Sequence, residues 1–194
     1  METKNELIYV KNAKEKADYF RNVLSSCSEN YIVCCPDSDY CKPVYDKLKE
    51  NGYAIAEIWM QQKYVHRFSN KFDGLIAVEE VPDDFYISLC NLSEKQAVFF
   101  YIGAFHKDIA QEAEEYYDDI ISKCISQQKP YANPVTLIAD DCSLLSFANL
   151  GNAFEKADKL NMRVLYALHD NSDLEMLYDD EDIAKIMQNS QKGA

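Results

Sequence analysis

The chain has 194 residues, with 20 Lys plus Arg against 33 Asp plus Glu, a net charge of −13. Its composition, 47% hydrophobic and 27% charged, is that of one folded domain rather than a disordered chain. It has five glycines, and the closest two, Gly52 and Gly74, are 22 positions apart, so neither G-x-G-x-x-G nor G-x-x-x-x-G-K-[ST] occurs.

In chain order, Leu7 to Val10 is a short apolar run. From Ala13 the apolar positions Ala13, Ala17, Phe20, Leu24 and Cys27 recur every three or four residues, which predicts an amphipathic helix. Tyr31 to Cys35 reads as a buried strand stopped by Pro36. Pro43 then opens a helix through Glu50, and Gly52 stands where a C-cap glycine is expected. Tyr53 to Trp59 is the next strand. Residues 60–96 are the least regular part, with a strand expected at Leu75 to Val78 and a short helix after Asp83 or Asp84.

The pattern then sharpens. Ala97 to Ile102 is a continuous β-favouring run ended by Gly103, and Ile109, Ala113, Tyr116, Tyr117, Ile120, Ile121 and Cys124 form a helical stripe. Val135 to Ala139 is a strand closed by Asp140 and Asp141. A helix through Phe154, Ala157 and Leu160 returns to a strand at Val164 to Leu168. A last helix holds Ile183, Ile186 and Met187. Strands apolar on both faces, alternating with amphipathic helices, predict an α/β fold with a mostly parallel sheet flanked by helices. With no linker or repeat, residues 1–194 are expected to form one domain, with 60–96 an irregular insertion or connection.

In open α/β sheets, sites gather beyond the carboxyl ends of the strands. Those ends carry Cys35-Pro36-Asp37, Gly103 with His106, Asp140-Asp141 and His169-Asp170. Asp37, Asp140 and Asp141 could together hold Mg²⁺, with His169 or His106 as the acid–base group of a phosphohydrolase. The competing reading makes Asp140-Asp141 an acidic strand end and the histidines, His66 included, structural. The runs Glu114-Glu115, Asp118-Asp119 and Asp179 to Asp182 read as solvated helix faces and N-terminal charge.

The seven cysteines (27, 34, 35, 41, 90, 124 and 142) include no C-x-x-C pair. Cys35 lacks the Arg six positions on that a cysteine phosphatase loop uses, since Cys41 stands there. Reduced, mostly buried thiols are expected. The first twenty residues are charged throughout and do not form a signal peptide, and the run Ala97 to Phe105 is too short to span a bilayer. A cytoplasmic protein is the expectation. The negative charge opposes nucleic-acid and membrane surfaces and favours basic protein partners.

The segment NYIVCCPDSDYCKPVYDKLKENGYAIAEIWM, residues 30–60, resembles TraG/TraD-type conjugation coupling ATPases just after their P-loop helix. Cys35-Pro36-Asp37-Ser38-Asp39 stands in place of that family's Asp-Pro-Lys-Gly-Glu. KQAVFFYIGAFHKDIAQEAEEYYDDIISKCI is similar to the strand and long helix before its Walker B strand. PVTLIADD, residues 134–141, is similar to the Walker B strand itself. The resemblance puts Asp140 on the metal-binding Asp, Asp141 on the catalytic Glu and His169 on a polar Gln. Lys16 and Ala17 fall on the P-loop Lys and Ser/Thr.

It implies a P-loop NTPase, RecA-like three-layer sandwich, with the Asp140 strand beside the strand that leads into residues 11–17. It also marks what is missing. KNAKEKA has no glycine to wrap phosphates and no hydroxyl for Mg²⁺. The family's all-helical insert has no room, and Phe147-Ala-Asn-Leu-Gly151 comes five residues later than the family's similar string. The expectation is therefore a non-catalytic, pseudo-ATPase-like interaction protein, accessory to a conjugative or mobile element. It would use no cofactor, keep Lys16 as a vestige, and partner with a coupling ATPase or another transfer component.

Overall fold

The computed structural model describes residues 4–35, 41–60, 64–68, 73–77, 95–103, 109–140 and 145–192. In chain order these are β1 (Asn5–Tyr9), α1 (Ala13–Ser25), β2 (Asn30–Cys35), α2 (Tyr45–Glu50), β3 (Ala54–Trp59), β4 (Tyr64–Phe68), β5 (Asp73–Ala77) and β6 (Gln96–Tyr101). There follow α3 (Ala110–Ile125), β7 (Val135–Ala139), α4 (Leu150–Lys156), β8 (Met162–Leu168), α5 (Asn171–Leu177), α6 (Asp180–Gln188) and β9 (Ser190–Lys192).

The nine strands among the described residues join one sheet in the order β5-β4-β3-β6-β2-β7-β8-β1-β9. The seven from β3 to β9 are mutually parallel, and β4 and β5 extend the β3 edge as antiparallel neighbours. This is the expected α/β architecture. It places strands where residues 60–96 read as irregular, and the helix expected after Asp83 or Asp84 lies outside the described residues.

The strand order decides the layers. From β1 to β2 to β3 the chain steps one way across the sheet, and from β3 through β6, β7, β8 and β9 it steps back. Parallel crossovers are right-handed, so reversing the step moves the helices to the other face. α1 and α2 accordingly cover one face, where Phe20, Leu24, Tyr45 and Leu48 pack on Ile8, Val33, Ile138 and Leu165. The later helices cover the other, where Ala113, Ile120, Phe154, Leu174 and Ile186 pack on Leu7, Ile32, Leu137 and Val164. Odd and even residues of one strand serve opposite cores, which is why these strands are apolar throughout. Each fully buried Leu, Ile or Phe contributes about 1.5–3 kcal/mol.

One expectation about the sheet fails. The Asp140 strand, β7, does not lie beside β1, because β8 sits between them and pairs with both. From β7 the chain returns through α4 to the adjacent place, so β8 stands between β7 and β1.

Polar stitching fixes the register at the amino-terminal end of the sheet. Buried Asn5 donates its amide to the carbonyls of Phe154 (2.8 Å) and Asn189 (2.9 Å), and its Oδ1 accepts from the Val164 N–H at 2.8 Å. Nearby, Arg163 Nε donates to Thr136 Oγ1 (2.9 Å) and Glu29 (3.1 Å), and its guanidinium lies 3.5 Å from Glu6. Thr136 also donates to Glu29, and the Tyr19 hydroxyl donates to Glu6 at 2.7 Å.

The acidic runs on α3 divide. Glu115 and Asp119 make local surface contacts with Gln111 and Lys123, as expected. Glu114 and Asp118 do not fit the solvated reading. Glu114 accepts from the Ser146 N–H at 3.0 Å, and Asp118 accepts from both the backbone (2.7 Å) and side-chain (2.8 Å) amides of Asn149. They hold the Phe147-Ala-Asn-Leu-Gly151 segment against α3, and Phe147 fills the core. Gly151 is there because α4 and α6 touch: a Cβ would come within 3.2 Å of the Asp182 Cα. Packing accounts for this string wherever its sequence likeness falls.

Candidate functional site

The site is built where β1 enters α1. Asn12, extended at φ −165°, caps the helix by accepting from the Glu15 N–H at 3.0 Å, and Glu15 reaches back to accept from the Lys11 N–H at 2.7 Å. The first turn of α1 is thus closed by its own side chains, and the Glu15 carboxylate already takes the favourable anionic position beside the helix start.

One turn further, Lys16 extends to the end of β7, where its Nζ lies 2.6 Å from Asp140 Oδ1. The Asp140 side chain is 2% exposed and that of Lys16 19%. The Asp140 N–H donates to the Cys34 carbonyl at 2.9 Å, which continues the β2–β7 ladder one residue past the strand and fixes where the carboxylate emerges. A carboxylate this deeply buried requires a compensating cation, and Lys16 supplies one.

His169 ends β8. Its backbone N–H donates to Asp173 at 2.7 Å, and its Nδ1 lies 2.9 Å from the Val10 carbonyl. A carbonyl only accepts, so Nδ1 carries a proton and Nε2 is the basic nitrogen of the neutral ring. Asp170 caps α5, accepting from the Ser172 N–H at 2.7 Å and from the Ser172 hydroxyl, in a box reciprocated by Asp173. These Ser172 bonds hold the Asp170 carboxyl below the usual range. The His169-Asp170 pair therefore starts a helix that sequence periodicity did not reveal, and the Tyr9 hydroxyl donates to Asn171 Oδ1 beside it (2.6 Å).

Of the residues read from sequence, the structure brings Lys16 and Asp140 together and places His169 at the neighbouring strand end. Asp37, Asp141 and His106 lie outside the described residues, as does the side chain of His66, whose backbone is part of β4. Sequence reading missed the α1 closure by Asn12 and Glu15, although Asn followed three residues later by Glu is the pattern of a helix start. Among the described residues no group of three or more His, Cys, Asp or Glu could hold a metal ion. The first turn of α1 carries neither glycine nor a hydroxyl, Glu15 stands by the helix start, and Lys16 pairs with Asp140.

No protein-family model matches the chain, and no curated protein sequence matches it. Among solved structures, the bacterial conjugative coupling protein TrwBdeltaN70, in a trigonal form in complex with sulphate, is similar over 54% of this chain at 16% identity, with a TM-score of 0.41. Its unbound monoclinic form gives 18% identity and 0.39 over 49% of the chain. This chain spans about a quarter of that coupling protein's length. The C-terminal domain of S. cerevisiae Dbp5, bound to Gle1 and IP6, is similar over 98% of this chain and 88% of its own, at 12% identity and 0.43. Likenesses at these scores fix neither ancestry nor activity. Among the described residues no helix is long and apolar enough to cross a membrane.

Proposed function

We propose that this chain is a pseudo-ATPase-like interaction module of P-loop NTPase type, accessory to a conjugative or mobile-element transfer system. The supporting observation is the 2.6 Å contact between Lys16 and Asp140, the two positions that the TraG/TraD-type resemblance sets on the P-loop lysine and the metal-binding aspartate. In a working site the lysine reaches phosphate and the aspartate faces the metal. Here each charge satisfies the other, across a turn with no glycine to wrap a triphosphate. The site is closed on itself and serves as part of the scaffold.

With its phosphate-binding parts absent, such a domain acts by contact. The net charge of −13 favours a basic protein surface as the partner, and a coupling ATPase or another transfer component is the class the resemblance suggests. The test is a thermal-unfolding titration with Mg²⁺ and ATP. A ligand at a hundredfold excess over its Kd adds about 2.7 kcal/mol, a displacement of several degrees for a chain this size. The expected result is no displacement. A rise in Tm that disappears in Asp140→Asn would overturn the pseudo-ATPase reading.

A further inference from the structure

Beneath α2, on the face of the sheet that α1 and α2 cover, five ionisable side chains meet in an otherwise apolar core. Cys35 ends β2 and Cys41 precedes the short turn at Lys42–Val44, and both are fully buried. Their sulfurs are 3.8 Å apart. Tyr45 donates to Glu57 at 2.9 Å and shares a short hydrogen bond with the Tyr101 hydroxyl. Burial, first of all, raises the hydroxyl pKa of both tyrosines, and the nearby thiols add to the effect. Tyr101 also packs on Trp59, ring centroids 4.8 Å apart.

The neighbouring thiol shows how much placement matters. Cys34 points to the opposite face, and its pKa is pushed up by burial, with Cys124 nearby adding to the shift. It has the environment of an inert core thiol. Cys35 instead touches a second sulfur six residues along the chain, close enough for modest side-chain rotation to reach the bonding distance of about 2.05 Å.

We propose that Cys35 and Cys41 form a reversible intramolecular disulfide, with a small-molecule disulfide such as oxidised glutathione as the oxidant. In the first step one cysteine thiolate attacks the small disulfide, whose S–S bond breaks and releases one thiol. In the second, the other cysteine thiolate attacks the mixed disulfide on the protein sulfur, forming the Cys35–Cys41 bond and releasing the second thiol. The two protein thiols are oxidised, the small disulfide is reduced to two thiols, and the two protons leave on the released sulfurs. Burial governs the rate, because the oxidant enters through local opening, but the contact between the sulfurs governs the product.

The chain's single tryptophan makes the event readable. Wild-type protein is incubated with oxidised glutathione under native conditions, alkylated, digested and weighed. The expected product is an unalkylated linkage of Cys35 to Cys41 lacking two hydrogens. Dithiothreitol reverses it, and Trp59 emission changes and recovers in step. In Cys41→Ser the linkage and the emission change are both absent. Recovery of Cys35 and Cys41 fully alkylated after prolonged oxidation, or linked to other cysteines, would overturn the proposal. Because the decisive measurement uses wild-type protein, misfolding of a variant does not obscure it. The outcome is also independent of nucleotide binding, so it stands apart from the pseudo-ATPase reading.

Discussion

The two ends of the sheet carry charge in opposite ways. At the amino-terminal end, Arg163 is shared among Glu6, Glu29 and buried Thr136, and Tyr19 adds a further donor to Glu6; the charged side chains there retain some contact with water. At the carboxyl end, Asp140 is buried almost completely and meets the ammonium of Lys16 at 2.6 Å. A distributed network tolerates the loss of one member, because the others and solvent take up the slack. A carboxylate this deeply buried loses more when a compensating cation is removed than one that solvent can reach.

Mutations can break or sharpen this contrast. The largest effect is expected for Asn5→Ala, which removes two buried hydrogen bonds and one part-buried one and leaves the Val164 N–H and two carbonyls without it. At about 1 kcal/mol each, plus the cost of stranding those groups, the loss is about 4 kcal/mol, measured by urea denaturation. Lys16→Met comes next at about 3 kcal/mol, since Asp140 loses its compensating ammonium while the aliphatic stem is kept. Arg163→Met should cost about 2 kcal/mol, less than Lys16→Met although Arg163 bridges Glu6, Glu29 and Thr136. The reverse ranking in matched urea curves would break the comparison.

The smallest effect is a pH dependence at the carboxyl-end rim. The Asp170 carboxyl is held low in the folded state, so its contribution is present above the unfolded carboxylate pKa and is lost as pH falls through the lower folded value. Asp170→Asn keeps a capping oxygen without the charge. Its Tm deficit relative to wild type should therefore be greatest at neutral pH and shrink in acid. A deficit that stays constant down the acid limb would show that the charge contributes nothing.

Much of the fold was legible in local sequence. The apolar runs that became β1, β2, β3, β6, β7 and β8 are continuous because both sheet faces are covered, and the α1 and α3 stripes repeat at helical spacing. β9 escaped notice because Ser190–Lys192 is polar and three residues long, an edge strand held by pairing with β1. α5 escaped because its start is set by the Asp170 capping box rather than by an apolar stripe. Of the candidate site, the residue types at 16, 140 and 169 were readable. The contact of Lys16 with Asp140 was not, because it spans 124 positions.

The sequence alone determined the alternation of strand and helix, the acidic charge, and the lack of glycine in the first turn of α1. Those are local properties, set by side-chain periodicity and by which φ values a residue can adopt. The tertiary structure decided that β8 separates β7 from β1, that Lys16 closes on Asp140, and that Cys35 meets Cys41 while Cys34 turns the other way. Strand order and the pairing of distant side chains follow from how crossovers pack across the whole sheet, and no local stretch of residues encodes that arrangement.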